Sequence, residues 1–373
     1  MDRKEIVALV LAGGKGTRLK GLTRNTAKPA VHFGGKYRIV DFVLSNLANS
    51  NINNVGLITQ YESIDLNQYT SSGKNWGFDG NNSTFTLLSP REKEEGNSWY
   101  EGTADAIYKN LDFIDRFEPE YVLIASSDHI YKMNYSKMLS LLKHKNGDVA
   151  IACIDVDISE ASRFGILETD KNQLVTKFVE KPKKPKSTKA SMGIYIFKYK
   201  VLYDALKFDA KNQDSSRDFG KDIIPYLLNK KKKIYAFPFK GYWRDVGTLS
   251  SLWAANMDLL DDINCLELYE DADAFKIYSE DTKSLPQFVG PNASIKRSMV
   301  NQGSKIYGNV DHSVIFTDVV IEEDCQIYDS VIMPGAKINK GTKIYKSIVA
   351  PNVVIDENRT INEENIDVIL VEK

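Results

Sequence analysis

The chain has 373 residues with a formal net charge of −1, and 42% of its residues are hydrophobic and 27% are charged. This length is sufficient for two domains with a sizeable core, and the composition is typical of a globular protein. Because neither charge is in large excess, we expect no nucleic-acid partner and no membrane partner. Cys153, Cys265 and Cys325 are widely spaced, so they indicate neither a disulfide framework nor a zinc site. We therefore expect a cytoplasmic protein.

The first predicted element is a buried strand that leads into a glycine-rich loop. Seven apolar residues, Ile6–Ala12, run without alternation, which is typical of a strand buried on both faces of a parallel sheet. A loop with three glycines can bring backbone N–H groups close to an anion, and a hydroxyl and two cations follow it. These candidate residues are Gly13, Gly14, Gly16, Thr17, Arg18 and Lys28. The loop is either a phosphate site or a tight turn with surface charges.

The loop does not match the two most common phosphate-binding fingerprints. A P-loop requires G-x-x-x-x-G-K-[ST], and no lysine–hydroxyl pair follows the second glycine here. A dinucleotide loop requires G-x-G-x-x-G, and Leu19 stands where the third glycine would be. The string that is present, G-G-x-G-T-R-L followed by K-P at Lys28, resembles the sugar-phosphate nucleotidyltransferases. These enzymes join a nucleoside triphosphate to a sugar 1-phosphate.

Up to about residue 245, strand-like runs alternate with helical patterns. The strand candidates are Ile6–Ala12, Val55–Thr59, Tyr121–Ala125, Val149–Val156, Val175–Val179, Gly193–Phe197 and Ile234–Phe237. Helical spacing is found in Ala104–Phe117, Tyr135–Lys143 and Phe219–Leu228. The alternation predicts an α/β fold with a mostly parallel sheet that is covered on both faces. Ligands of such sheets bind outside the carboxyl ends of the strands, where the glycine loop and Ser126–Asp128 should meet.

The last part of the chain is a repeat. Ser313, Ser330 and Ser347 begin similar apolar triplets at a spacing of 17 residues, after an earlier partial copy at Ser298. Within the repeats, apolar residues recur in steps of six at Ile315, Ile321 and Ile327, then Ile332, Ile338 and Ile344, then Val349, Ile355 and Ile361. Steps of six, six and five return to the same face after three short sides, so we predict a triangular β-helix from about Val289 to Ile361. An antiparallel hairpin region would not keep this register. Leu249 to about Asp262 is predicted to be a helix, in a connector that extends to Pro286.

Further motifs extend the resemblance along nearly the whole chain. They are Lys28–Asn46, Trp99–Ala106, Asp128–Lys132, Phe178–Pro182, Ala190–Tyr195, Asp218–Asp222 and Tyr242–Thr248. In this order they are similar to motifs of the glucose-1-phosphate adenylyltransferases. The resemblance implies a Rossmann-like nucleotidyltransferase domain at 1–248, a helical connector at 249–286 and a left-handed parallel β-helix at 287–373. It also implies a tetramer, formed by this chain alone or with a related subunit.

The implied reaction transfers the adenylyl group of ATP to glucose 1-phosphate and gives ADP-glucose, for glycogen or another α-glucan, and pyrophosphate. Both substrates are anionic, so catalysis requires mainly alignment and charge neutralisation, and we expect a divalent ion, Mg²⁺. The resemblance assigns the metal to Asp128 and Asp245, although either aspartate alone could be a turn or helix cap. Arg18 and Lys28 are expected to neutralise the phosphates of the nucleotide.

The resemblance also implies two sets of binding residues. The nucleotide set is Leu11, Gly13, Gly14, Gly16, Thr17, Gln60, Tyr100 and Gly102. The glucose 1-phosphate set is Glu180, Lys181, Ser191, Tyr195, Asp218, Phe219 and Trp243. Lys181 should bind the phosphate of the sugar, Glu180 and Asp218 its hydroxyls, and an aromatic ring its apolar face. Tyr100 could instead be a packing residue.

The sequence departs from the family pattern at a few positions. Ser127 stands where glycine is expected and Asn134 where aspartate is usual, so Ser127 could lower activity. Asn25 and Thr26 replace a basic pair, which weakens the expectation of control by phosphorylated intermediates. Two alternatives stay open: a non-catalytic regulatory subunit of the same enzyme, and a nucleotidyltransferase that uses another nucleotide or sugar phosphate.

Overall fold

The structure is a computed structural model, which describes residues 5–14, 16–61, 64–91, 99–261, 266, 268 and 275–372. Cys265 and most of positions 262–274 of the predicted connector lie outside the described residues.

The first thirteen strands are β1 (Ile6–Ala12), β2 (His32–Phe33), β3 (Tyr37–Arg38), β4 (Asn54–Thr59), β5 (Thr84–Leu88), β6 (Tyr121–Ser126), β7 (His129–Tyr131), β8 (Val149–Asp155), β9 (Gly165–Thr169), β10 (Val175–Glu180), β11 (Lys189–Lys198), β12 (Ile234–Pro238) and β13 (Trp243–Asp245). The α-helices are α1 (Ile39–Asn49), α2 (Ile64–Thr70), α3 (Thr103–Tyr108), α4 (Leu111–Asp115), α5 (Tyr135–His144), α6 (Tyr199–Asp209), α7 (Ile224–Asn229) and α8 (Leu249–Met257). Short 3₁₀ helices span Thr17–Thr23, Lys28–Ala30, Lys74–Trp76 and Ala161–Arg163, and Phe219–Ile223 is a π-helical turn before α7.

In the part of the chain that the structure describes, nine strands form one mixed sheet in the order β10-β9-β11-β6-β1-β4-β5, in which β8 also pairs with β11 and β12 pairs with β8. Strands β6, β1, β4 and β5 are parallel, whereas β11 is antiparallel to β6. All seven strands that the sequence predicts are confirmed in this sheet, and only β5 and β9 were not indicated. In β1, Val7 and Leu9 pack into one apolar core while Ala8 and Val10 pack into another. The uninterrupted apolar run therefore reflects burial on both faces.

One predicted helix, Ala104–Phe117, is wrong, since α3 and α4 are separate. Asn110 interrupts the helical path with φ −114° and ψ 20°. Its Nδ2 atom donates to the Ala106 carbonyl at 2.8 Å and to the Tyr100 hydroxyl at 3.0 Å. An asparagine side chain that bonds to nearby backbone competes with helix continuation. The helix from Leu249 is confirmed, but it ends at Met257.

The repeat region is a parallel β-helix with three sheets of five short strands each. One sheet contains β14 (Phe288–Val289), β17 (Lys305–Ile306), β20 (Val320–Ile321), β23 (Lys337–Ile338) and β26 (Val354–Ile355). The second contains β15 (Ser294–Lys296), β18 (Asn309–Asp311), β21 (Gln326–Tyr328), β24 (Lys343–Tyr345) and β27 (Thr360–Ile361). The third contains β16 (Met299–Val300), β19 (Val314–Ile315), β22 (Val331–Ile332), β25 (Ser347–Val349) and β28 (Ile369–Val371).

The predicted register of the β-helix is confirmed by the strand pairs. Ile321 pairs with Ile338, and Ile338 pairs with Ile355, as the spacing of 17 requires. The last coil departs from the spacing because Val349 pairs with Val371, which lies 22 residues later. The strand pairing therefore continues ten residues beyond Ile361, the last residue of the predicted apolar repeat.

A shared core joins the β-helix to the sheet region. Phe33 and Phe42, Leu252 of α8, and Phe316 and Met333 of the β-helix belong to one buried cluster. The boundaries of the three predicted domains stay a prediction. Among the described residues, no helix is both long and apolar enough to cross a membrane.

Candidate active site

A cleft of about 770 Å³ opens at the carboxyl ends of β1, β4 and β6. The predicted site residues that line it are Leu11, Gly13, Gly14, Arg18, Lys28, Gln60, Tyr100, Gly102, Asp128, Glu180, Lys181, Ser191, Tyr195, Asp218, Phe219 and Asp245. The strand order explains their arrangement. The ends of β1 and β4 carry the predicted nucleotide residues, the ends of β10 and β11 carry several sugar-phosphate residues, and β6 lies between them. The cleft therefore has two sides with Asp128 at its middle.

The middle of the cleft contains a charged cluster built on Lys28. Lys28 is buried, and its Nζ atom lies 3.0 Å from Asp128 Oδ2 and 3.2 Å from Asp245 Oδ1. The antiparallel pairing of β13 with β7 brings Asp245 beside His129, next to Asp128. An ammonium group thus holds two carboxylates together that are 117 residues apart in the sequence.

Asp128 has further partners on its other oxygen. Ser126 Oγ donates to Oδ1, and His129 Nε2 lies 3.3 Å from the same atom. Burial alone would raise the pKa of Asp128, but His129, Lys28 and the Ser126 hydroxyl together hold the pKa well below its usual range. The ligand atoms of Asp128, His129 and Asp245 lie within 4.8 Å of one another, so this group could hold a metal ion. Carboxylate oxygens suit a hard divalent ion, and the imidazole is placed to orient Asp128.

Glycines keep this cluster compact. A Cβ atom on Gly247 would lie 2.9 Å from Arg18 Nη2, 2.9 Å from Asp245 Oδ1 and 3.4 Å from Lys28 Nζ. A Cβ atom on Gly16 would lie 2.9 Å from Lys28 Cβ, and Gly16 has φ +63°. Gly16 therefore supports Lys28 from behind. The sequence predicts Gly16 as a nucleotide-binding residue, but Gly16 does not line the cleft.

Sequence reasoning missed Arg163. This residue ends a 3₁₀ helix before β9, and its Nη2 atom lies 3.4 Å from Asp245 Oδ2. Arg163 lines the cleft and also contacts Glu160 at 3.3 Å. A turn arginine far from every predicted motif gives no local signal, because only the sheet brings it to Asp245.

Acidic and aromatic side chains define the side formed by β10 and β11. Asp218 caps the π-helical turn by accepting from the N–H groups of Gly220 and Lys221 at 2.9 and 3.1 Å, and the Thr103 hydroxyl donates to its other oxygen. Burial raises the pKa of Glu180, which Lys181 opposes with an ion pair at 3.5 Å.

An aromatic surface lies beside these carboxylates. The rings of Tyr195 and Phe219 stack at 5.7 Å, and the Ser191 hydroxyl lies 3.5 Å from the Tyr195 hydroxyl. Polar atoms and an aromatic surface on one side of a cleft are a combination that binds sugars.

The opposite side contains Gln60 and Tyr100. Gln60 Nε2 donates to the Tyr100 carbonyl at 3.3 Å, and the Tyr100 hydroxyl donates to the Leu88 carbonyl at 3.3 Å. Gly102 allows close packing, because a Cβ atom there would lie 2.3 Å from the Arg217 carbonyl oxygen.

Two other predicted site residues do not line the cleft. Thr17 is exposed at the start of a 3₁₀ helix. Trp243 packs against His129 at 5.1 Å and Phe164 at 5.3 Å between ring centroids. Its indole therefore supports the residues beside the cleft.

Comparison with known protein families gives two matches. A nucleotidyl transferase model matches residues 7–262, and a GlmU-like C-terminal hexapeptide model matches residues 283–367. A relative from Bacillus mycoides (strain KBAB4), named glucose-1-phosphate adenylyltransferase, is 50% identical over 99% of this chain and 98% of its own length. The chain belongs to the glucose-1-phosphate adenylyltransferase family. Relatives of the same name from Bacillus anthracis and Bacillus cereus (strain Q1) are also 50% identical over 99% of this chain and 98% of their own length.

Two of the departures from the family pattern, Ser127 and Asn134, make local hydrogen bonds. The Ser127 hydroxyl donates to the Leu11 carbonyl at 2.8 Å, so it bonds to β1 and not to the neighbouring Asp128. Asn134 caps α5, since its Oδ1 atom accepts from the Ser136 N–H at 2.9 Å. Asparagine and aspartate are about equally good at this position.

Proposed function

We propose that this chain transfers the adenylyl group of ATP to α-D-glucose 1-phosphate, giving ADP-glucose and pyrophosphate. The observation that carries the proposal is 50% identity over 99% of the chain to enzymes named for this activity. The cleft supports it, because residues from seven separate motifs line one cavity large enough for two small anionic substrates. ADP-glucose would serve glycogen or other α-glucan synthesis.

The strand order suggests where each substrate lies. The nucleotide would occupy the side of the glycine loop, Gln60 and Tyr100, with its phosphates toward Arg18 and Lys28. Glucose 1-phosphate would occupy the side of Glu180, Lys181, Ser191, Tyr195, Asp218 and Phe219. The two phosphate groups would then meet above Asp128, which lies between the two sides.

The reaction requires attack of a sugar-phosphate oxygen on the α-phosphorus of ATP, opposite the departing pyrophosphate. The attacking oxygen is already ionised at neutral pH, so no general base is needed and alignment dominates. Lys181 would orient the attacking phosphate, while Arg18 and Lys28 would neutralise the charge on the departing group. Tyr195 and Phe219 would fix the sugar ring.

Asp128 and Asp245 are the residues that would hold a divalent ion, which we propose to be Mg²⁺. Mg²⁺ prefers one or two carboxylates together with substrate phosphates, and two carboxylates meet here at the centre of the cleft. When bound, the ion supplies charge neutralisation to the phosphates. His129 would keep Asp128 oriented through the contact at 3.3 Å.

The test is pyrophosphate release by the purified chain with Mg²⁺ and glucose 1-phosphate, using ATP, UTP, GTP and dTTP in parallel. Release with ATP alone is expected. Release with another nucleotide would contradict the named substrate. Absence of release with every nucleotide, combined with stimulation of a catalytic relative, would instead identify a regulatory subunit.

We also infer that the chain assembles as a tetramer, alone or with a related subunit. The first coil of the β-helix supports this, because Leu285, Phe288 and Val289 are 78%, 51% and 44% exposed. Neighbouring exposed apolar side chains favour burial against another subunit. Light scattering of the purified chain should give a mass about four times 42.1 kDa. A monomeric mass for the chain alone, and again after a related subunit is added, would contradict the inference.

A further inference from the structure

The two carboxylates at the centre of the cleft are already neutralised by the chain itself. Lys28 bridges one oxygen of Asp128 and one of Asp245, at 3.0 and 3.2 Å. Arg163 lies 3.4 Å from the other oxygen of Asp245, and Ser126 donates to the other oxygen of Asp128. Lys28 and Arg163 thus place two positive charges against these two carboxylates.

We propose that Lys28 and Arg163 are internal counter-ions, so that a divalent ion enters this site only together with the phosphates of a nucleotide. The inference rests on the proposed function, because it requires the nucleotide phosphates to bind in the cleft beside Lys28. It concerns the order of binding and assigns Arg163 a positioning role.

Lys28 is held firmly in its position between the two carboxylates. Its side chain is only 6% exposed, its backbone lies in the 3₁₀ helix Lys28–Ala30, and Gly16 packs against its Cβ atom. The ammonium group therefore has little freedom while it bonds to both carboxylates. A divalent ion that bound the same two carboxylates would lie close to this ammonium group. The repulsion between the ion and the ammonium group would be strong, because water and salt screen charges poorly at a buried site.

Arg163 differs from Lys28 in its freedom to move. Its side chain is 41% exposed, and it also contacts the exposed carboxylate of Glu160 at 3.3 Å. Arg163 can therefore leave Asp245 at a small cost in free energy, and it neutralises the Asp245 carboxylate less strongly than Lys28 does. Both residues line the cleft, so a phosphate can reach the Lys28 ammonium group where it lies, and Arg163 can turn from the carboxylate to a phosphate.

Nucleotide phosphates would change the net charge around the two carboxylates. They supply negative charge that stabilises the divalent ion, and they offer new partners to both cations. Metal and nucleotide should therefore increase each other's affinity, because binding free energies are coupled reciprocally. Without nucleotide, metal binding should be weak.

The test measures Mn²⁺ binding to nucleotide-free protein by electron paramagnetic resonance of the free ion. Lys28→Met should bind Mn²⁺ at least ~10-fold more tightly than the wild type, because the buried positive charge is gone. Arg163→Met should bind it about threefold more tightly, since an exposed pair contributes less. Lys28→Arg keeps the charge and should bind Mn²⁺ as weakly as the wild type. Lys177→Met and Arg297→Met are matched controls, because both residues are exposed and neither lines the cleft, so neither should change the affinity.

Equal Mn²⁺ affinity in the wild type, Lys28→Met and Arg163→Met would overturn the inference. The tighter binding must also disappear in Lys28→Met/Asp245→Asn, and its persistence would place the ion elsewhere and overturn the inference too. If circular dichroism shows that Lys28→Met is unfolded, the Mn²⁺ affinities of Arg163→Met and Lys28→Arg relative to the wild type test the inference instead. Pyrophosphate release by the wild type is measured on the same preparation. Release with unchanged Mn²⁺ affinities would overturn the counter-ion inference alone, whereas no release would overturn the proposed function.

Discussion

The β-helix and the cleft differ in how far apart in the sequence their interacting residues lie. In the β-helix, Ile321, Ile338 and Ile355 stack at a constant spacing of 17 residues and form a buried apolar column. In the cleft, Lys28 contacts residues 100 and 217 positions away, and the contacts are between charges. Apolar burial stabilises the fold, whereas clustered charges contribute little stability and prepare a site for anions. Substitutions in the two regions should therefore affect different measurements.

The largest expected effect on stability is in the β-helix. Ile338→Ala removes a fully buried side chain from the middle of its column and should lower the free energy of unfolding by about 2–5 kcal/mol. The kcat of the folded protein should stay within about twofold, because Ile338 is remote from the cleft. Thermal unfolding and steady-state kinetics measure the two quantities. Val354→Ala is the control, because this side chain is 61% exposed on the neighbouring coil. A large loss of kcat in Ile338→Ala would mean that the core of the β-helix also affects the reaction in the cleft.

The next effect is on substrate binding. Lys181→Gln removes an exposed cation beside Glu180 and should raise the KM for glucose 1-phosphate about 100-fold, since a charge-assisted bond to phosphate is lost. The melting temperature should not change. Lys183→Gln alters an exposed lysine two positions later and should leave the KM unchanged. An unchanged KM in Lys181→Gln would remove this residue from the proposed sugar-phosphate site.

A smaller effect is expected from one methyl group. Gly247→Ala would displace Arg18 and the Asp245 carboxylate and should lower kcat by about 10- to 100-fold, because alignment is disturbed. Steady-state kinetics measures the loss. Gly80→Ala is the control, since the nearest atom to its Cβ is 3.6 Å away. If Gly247→Ala had wild-type kcat, the compactness of the charged cluster would not matter for the reaction.

The smallest effect should come from Ser127. Its hydroxyl bonds to the Leu11 carbonyl, so Ser127→Gly should change kcat less than about threefold and lower the free energy of unfolding by about 1 kcal/mol. Kinetics and thermal unfolding of the two proteins check this. A large gain in kcat would mean that the serine impairs Asp128 after all.

Local patterns predicted much of the fold, since β1 and the register of the β-helix depend on residues close together in the sequence. Helix α1 was missed, although its polar residues Asp41, Ser45 and Asn49 recur at helical spacing. All of residues 39–47 are buried, so the helix is covered by other parts of the protein and has no solvent-exposed face along this stretch. The helix Ala104–Phe117 was wrong because the Asn110 side chain bonds within the predicted helix.

Part of the candidate site was predictable from local patterns, since the glycine loop, with Arg18 and Lys28 after it, was expected to meet Ser126–Asp128 at one edge of the sheet. The family resemblance added the metal role of Asp128 and Asp245, which the structure brings together with Lys28. It did not indicate Arg163, or that Gly16 supports Lys28 from behind. Both facts depend on packing between distant segments. The roles of the cleft residues stay predictions until they are measured.

The most direct test of the proposed function compares pyrophosphate release from ATP and glucose 1-phosphate by the wild type and by Asp128→Asn. We expect release by the wild type and a loss on the order of 10³-fold in the variant, because a proposed metal ligand at the centre of the cleft is removed. The melting temperatures of the two proteins should agree within a few degrees. Equal release by both proteins would overturn the proposed function of the cleft, since the reaction would then occur without its central carboxylate.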